Sequence, residues 1–125
     1  MTPHRHRPVF FHLLQLQLPV TALVSIAHRL SGILLFLALA PAIWLLERSL
    51  ADAEGFAAVR HALDGWPMHL AGALLLWALI HHLLAGLRLL LIDAELGVER
   101  RAARRSAWWV GIAGLLALGL GVLWP

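Results

Sequence analysis

The sequence predicts an all-α membrane protein with three transmembrane helices. Of its 125 residues, 61% are hydrophobic and 14% are charged, against about 25% charged in a soluble domain. Mean hydropathy is +0.80. Three apolar stretches, at about residues 21–46, 68–92 and 106–124, are each long enough to cross a hydrocarbon core of ~30 Å at ~1.5 Å rise per residue. A chain this small has no room for an enclosed pathway of its own, so a subunit of a larger assembly is expected. With no Cys, disulfides, thiolate metal sites and iron–sulfur ligation on this chain are excluded. With no Tyr, any phenol in the chemistry must come from another chain.

The elements follow in order. Residues 1–20 read as an N-terminal arm without the basic start, short apolar core and small-residue cleavage site of a signal peptide. Residues 21–125 read as a single membrane-anchor domain. In the first span Pro41 falls late and is expected to kink the helix. The following loop can hold a short amphipathic helix with Phe56, Val59 and Leu63 on one side. The second span carries His69, His81, His82 and Arg88. The third has no ionisable side chain, and Ala113, Ala117 and Gly121 recur every four residues as a small-residue packing face. Trp44, Trp66, Trp108, Trp109 and Trp124 lie near span ends, as an aromatic belt would; Trp77 lies mid-span.

Arginine sets the expected orientation. Arg5 and Arg7 precede the first span, and Arg100, Arg101, Arg104 and Arg105 lie between the second and third. Arg48 and Arg60 lie between the first and second, beside Glu47, Asp52, Glu54 and Asp64. The positive-inside rule then gives a cytoplasmic N-terminus and a periplasmic C-terminus, in a bacterial inner membrane protein that passes the bilayer three times.

The chemistry is expected where polar groups enter the spans. A charged side chain at a helix centre costs ~2.5–3.5 kcal/mol on insertion scales, so Arg29 calls for an anion, a polar cavity or a partner. Ser25, His28, Arg29 and Gly32 follow at i, i+3, i+4 and i+7, which puts a hydroxyl, an imidazole and a guanidinium on one helical face. Ser31 falls off that face. The plainer alternative is an interfacial cluster in which Arg29 snorkels to the surface. On the second span Ala78, His82 and Gly86 share a face at spacing four, which suits a flat ligand such as a porphyrin ligated by imidazole. A lone membrane histidine more often hydrogen-bonds a neighbouring helix. His81 competes with His82 for the ligand role, and the small-residue face favours His82. Asp93 reads as a solvated helix-end carboxylate, and His4, His6, His12, His61 and His69 as solvated or interfacial groups.

These residues carry a family resemblance. Arg7-Pro8, Leu18-Pro19-Val20-Thr21-Ala22 and Ser25-Ile26-Ala27-His28-Arg29-Leu30-Ser31-Gly32 resemble the N-terminal signature of the succinate dehydrogenase cytochrome b556 subunit family. His82-Leu83-Leu84-Ala85-Gly86-Leu87-Arg88, followed by Asp93, resembles that family's second signature. The resemblance spans nearly the whole chain. It implies an anchor that packs with a second small membrane subunit into a helical bundle. Together the two would hold a flavoprotein and an iron–sulfur protein at the membrane, bind one haem b and form a ubiquinone-reducing site. FAD and iron–sulfur clusters would belong to the partner subunits. No nucleic-acid partner is expected.

Residue by residue, the resemblance assigns the haem iron's axial ligand to His82, with the other axial histidine on the partner subunit. It assigns the quinone pocket to Ser25 and Arg29, and contact with a haem propionate to His28. Propionates near the cytoplasmic end would also answer the desolvation of Arg29 and Arg88, with Gly86 giving the flat ligand access to the backbone. The succinate-oxidising residues would lie on other chains. Leu89 stands where many members have a second histidine, which removes one polar contact expected near the propionates and leaves the His82 ligand intact. The alternatives are the anchor of a quinol:fumarate reductase and a small non-redox membrane subunit.

Overall fold

A computed structural model describes residues 18–123. Most of the arm, with His4, Arg5, His6, Arg7, Pro8 and His12, and Trp124 at the other end lie outside the described residues. All the regular structure of the described chain is helical: α1 Val20–Ala51, α2 Ala53–Leu63, α3 Trp66–Asp93 and α4 Arg100–Leu123. α1, α3 and α4 are long and apolar enough to cross a membrane. α1 runs past Leu46 through Glu47 and Arg48, and α4 starts six residues before Ser106 in its arginine cluster. Helix bounds therefore exceed the apolar stretches, because backbone hydrogen bonding continues after the side chains turn polar.

α1 starts at Pro19, whose extended backbone (φ −65°, ψ 151°) precedes the first turn. The Pro19 carbonyl accepts from the N–H groups of Ala22 and Leu23 at 2.9 and 3.2 Å. Pro41 lies inside the helix; its ring removes the N–H that the Leu37 carbonyl would otherwise accept.

Asp52 ends α1 and starts α2. Its backbone is extended (φ −164°, ψ 174°), and its Oδ1 accepts from the Gly55 N–H at 2.5 Å, an N-cap. Glu54 in the first turn and Arg60 and His61 in the last suit the helix dipole. The expected short helix is therefore present, but it packs through a different side. Gly55 and Val59 are buried, while Phe56 and Leu63 remain exposed. A Cβ at Gly55 would collide with the Arg48 carbonyl oxygen. Only glycine lets α2 fold back this closely on the end of α1.

α3 ends in a Schellman motif. The Leu96 N–H donates to the Leu91 carbonyl at 2.8 Å and the Glu95 N–H to the Ile92 carbonyl at 2.9 Å. Glu95 takes the left-handed conformation (φ 61°) that glycine usually supplies here, and Gly97 follows at φ 75°. Two left-handed residues within three turn the chain back into α4.

α3 and α4 form the largest helix contact, made mostly of small residues. α3 buries Ala73, Ala78, His81 and Ala85; α4 buries Ala107, Val110, Gly114 and Ala117. A Cβ on Gly121 would stand 2.8 Å from Ala73 Cα, so backbone meets backbone there. The small-residue face of α4 is thus real but rotated from the expected one. It runs through Val110, Gly114, Ala117 and Gly121, with Ala113 at its edge. Without water between membrane helices, close backbone approach is the main source of attraction. α1 is the outlier: of its 32 residues only Val24 and Ser31 are buried, and both face the α3 side.

Candidate functional site

The site forms where α1 and α3 cross as antiparallel helices. Each contributes a histidine followed four residues later by a glycine: His28 and Gly32 on α1, His82 and Gly86 on α3. The antiparallel crossing sets each histidine against the other helix's glycine. A Cβ on Gly32 would stand 2.8 Å from His82 Cε1, and a Cβ on Gly86 would stand 3.6 Å from His28 Nε2. The two imidazoles stack, with centroids 4.3 Å apart and planes inclined by 23°.

Hydrogen bonds fix the orientation of His82. Its Nδ1 lies 3.1 Å from the main-chain carbonyl oxygen of His28. A carbonyl only accepts, so in the neutral ring the proton is on Nδ1 and the lone pair on Nε2. Nε2 has no hydrogen-bonding partner among the described residues. The Ser31 hydroxyl donates to the same His28 carbonyl at 2.8 Å, and its oxygen lies 3.4 Å from His82 Nδ1. Ser31 is completely buried. Sequence spacing had set it off the polar face, and nothing in its apolar neighbourhood marked it.

The predicted α1 face separates into two strips. Val24, His28, Ser31 and Gly32 face α3. Ser25 is half-buried and Arg29 exposed, and neither makes a hydrogen bond among the described residues. Both side chains are thus without a partner among the described residues.

His81 points elsewhere. It is 3% exposed, stacks on Trp77 with centroids 5.5 Å apart and directs Nε2 at the Val24 carbonyl, 3.5 Å away. Its Nδ1 is buried without a partner among the described residues, 3.0 Å from where a Gly114 Cβ would stand. Both ring nitrogens of His81 face the protein.

Arg88 also turns from the stacked pair. Its Nε donates to Ser106 Oγ and its Nη2 to the Ala103 carbonyl, both at 3.0 Å, which ties α3 to the start of α4. Its Nη1 has no such partner among the described residues. Asp93 is exposed at the end of α3. No group of three or more His, Asp or Glu side chains among the described residues could hold a bare metal ion.

The model of the Succinate dehydrogenase/Fumarate reductase transmembrane subunit family matches residues 3–121, which takes in α1, α2, α3 and all but the last two residues of α4. The chain belongs to this family. It is 36% identical over 120 residues to the succinate dehydrogenase cytochrome b556 subunit of Coxiella burnetii, covering 94% of this chain and 95% of that one. It is 33% identical over 115 residues to the protein of the same name from Paracoccus denitrificans, covering 92% and 88%. The match runs through the His28–His82 crossing and the small-residue α3–α4 contact. The crossing is therefore read as part of a succinate dehydrogenase or fumarate reductase membrane subunit.

Proposed function

We propose that this chain is the haem b-binding anchor subunit of a succinate:quinone oxidoreductase, with a share in its ubiquinone-reducing site. The observation that carries the proposal is the unpartnered Nε2 of His82. A haem brings its iron already held by four porphyrin nitrogens, so it needs from this chain one neutral imidazole with an open lone pair. His82 offers that, and its other ring nitrogen is held on a carbonyl, the arrangement usual for metal-bound histidine. His81, with both nitrogens turned inward, does not. The relatives' names as cytochrome b556 subunits support the same reading.

In this reading His82 would hold the haem iron from this chain, and a second small membrane subunit would supply the other histidine. His28, stacked beside His82, Gly86 across from it, and the free Nη1 of Arg88 serve the rim and propionates. Bound there, haem supplies a one-electron store within the membrane. The sparse burial of α1 supports a partner subunit, since most of its apolar surface has no cover from the other described residues.

Ser25 and Arg29 form the quinone side. Oxidising succinate to fumarate releases two electrons and two protons, and the electrons travel through flavin and iron–sulfur centres on partner chains. Reducing a quinone to a quinol consumes two of each. The Ser25 hydroxyl donates to a quinone carbonyl oxygen and orients the ring. The Arg29 guanidinium stabilises the negative charge that develops on the oxygens before protons arrive. No step of succinate oxidation falls on this chain. The arginine distribution supports a bacterial inner membrane with the N-terminus cytoplasmic, and Arg29 then lies toward the side where protons and the iron–sulfur subunit meet the membrane.

Two variants of the purified assembly test the reading. His82→Ala is expected to abolish the b-type α band in the reduced-minus-oxidised spectrum; an unchanged band would remove the haem assignment. Arg29→Leu is expected to lose quinone reduction while succinate oxidation by an artificial acceptor persists; full quinone turnover would remove the quinone assignment.

A further inference from the structure

Two residues at the crossing have no role in the reading above. Ser31 is completely buried in a span and polar. Gly32 gives up its side chain at the point where the His82 ring comes closest to α1. We propose that Ser31 and Gly32 are positioning residues for His82, setting its tautomer and its ring plane so that Nε2 is presented to the haem iron. This rests on the reading of His82 as a haem ligand.

The argument starts from the rotational freedom of a histidine. An imidazole on a helix can turn about two side-chain bonds, and either nitrogen can carry the proton in the neutral ring. Ligation through Nε2 needs the proton on Nδ1 and the ring edge turned outward. At this crossing two polar groups of α1 impose both conditions. The His28 carbonyl accepts the Nδ1–H at 3.1 Å. That carbonyl is itself fixed by the Ser31 hydroxyl, which donates to it at 2.8 Å. With its hydrogen committed there, the Ser31 oxygen turns a lone pair to Nδ1, 3.4 Å away, as a second and longer acceptor. Burial holds the serine in place: with no water to compete, its hydroxyl has only these two partners.

Gly32 works by absence. Its ideal Cβ would stand 2.8 Å from Cε1, 3.2 Å from Nδ1 and 3.8 Å from Nε2 of His82. Real Cβ atoms do not come within 3.0 Å of a ring atom, so alanine at this position must push the ring away from the His28 carbonyl. The opposite glycine makes no such demand. A Cβ at Gly86 would be 3.6 Å from His28 Nε2, an ordinary contact. The asymmetry follows the chemistry: both rings face a glycine, but only at Gly32, beside the ring that needs exact placement, is there no room for a Cβ.

The chemical consequence is a tuned ligand. Donation from Nδ1–H makes an imidazole a stronger electron donor to iron and favours the ferric state. Losing the Ser31 acceptor should therefore raise the haem midpoint potential without removing the haem.

The test uses the purified four-subunit assembly, with a potentiometric titration of the haem α band and an electron paramagnetic resonance spectrum of the oxidised haem. Ser31→Ala is expected to keep full haem content, shift the midpoint potential upward and alter the low-spin g values. Ser31→Thr, which restores the hydroxyl, is expected to return both toward wild type. Gly32→Ala is expected to lower haem content or change the g values, and Gly86→Ala to do neither. Wild-type potential and g values in both Ser31→Ala and Gly32→Ala would overturn the proposal. His82→Ala separates the two levels: if it loses the α band while those variants look wild type, the positioning role fails and the ligand reading stands. If His82→Ala keeps the band, the ligand reading itself fails. Should Gly32→Ala not assemble, the Ser31→Ala and Ser31→Thr pair decides alone.

Discussion

Arg88 and Ser106 join α3 to α4 by a hydrogen bond of 3.0 Å from the guanidinium Nε to the hydroxyl oxygen. The Ser106 hydroxyl in turn donates to the Ala103 carbonyl at 3.1 Å, which also accepts from Arg88 Nη2 at 3.0 Å. Three polar groups thus close a triangle at the end of the helix pair where the arginines cluster. Ser106→Ala breaks two sides of it, leaving Nε without its acceptor and only the Nη2 bond to the Ala103 carbonyl in place. A hydrogen bond to a charged group contributes roughly 1.5–3 kcal/mol, so a loss in that range is expected when the assembly is unfolded by rising detergent denaturant. In an Arg88→Leu background the serine change should have almost no effect, and an additive loss would show that the two residues act separately.

Asp52 caps α2 through its Oδ1, and replacing an N-cap aspartate with alanine costs about 1 kcal/mol. Asp52→Ala should loosen α2 without touching the spans. Faster hydrogen exchange confined to residues 53–63, with the haem spectrum unchanged, is the expected result. Gly55→Ala should loosen the same segment more, because its Cβ meets a main-chain oxygen that cannot step aside.

Gly121→Leu should be the most damaging change in the small-residue seam. Its first side-chain atom already lies 2.8 Å from Ala73 Cα, and overpacking costs typically 1–3 kcal/mol. The midpoint for thermal loss of assembly should fall. Gly119→Leu, with open space around its position, is the control and should leave it in place.

Glu95→Gly should stabilise the chain. Glu95 holds a left-handed backbone at φ 61°, which costs a side chain roughly 1–2 kcal/mol and costs glycine nothing, against about 0.5–1 kcal/mol of extra chain entropy for glycine. The net gain is on the order of 0.5 kcal/mol. A slightly higher thermal midpoint is the readout; a lower one would show that the carboxylate has a partner in the assembly.

The spans were legible because membrane crossing leaves a coarse signal of length and apolarity. Helix α2 was legible from Phe56, Val59 and Leu63, but its packed side was not. Which residues face inward depends on Gly55, and a glycine carries no hydropathy signal. At the site, His82 and Gly86 could be read as a pair from spacing alone. Ser31 could not. At 100° per residue, His28 is flanked almost equally by Ser25 and Gly32 on one side and by Val24 and Ser31 on the other. In a soluble helix, polarity would choose between them. In a membrane helix, the lipid side and the packed side are both apolar, and the choice is made by where the neighbouring backbone comes close. The same ambiguity rotated the small-residue face of α4 from Ala113 to Gly114.

The narrow hold on α1 has a consequence for how this subunit can change. Its two buried residues, Val24 and Ser31, flank His28 along a single seam, and Gly32 completes it. The atoms that attach the helix are nearly the same atoms that orient the imidazole across from it. Attachment and redox tuning therefore cannot drift independently. A substitution that grips α1 more firmly there also moves the ring, and one that frees the ring loosens the helix. Adaptation of this protein to heat or to a new membrane has freer scope on α4 and on the lipid-facing rows, with the crossing left as it is.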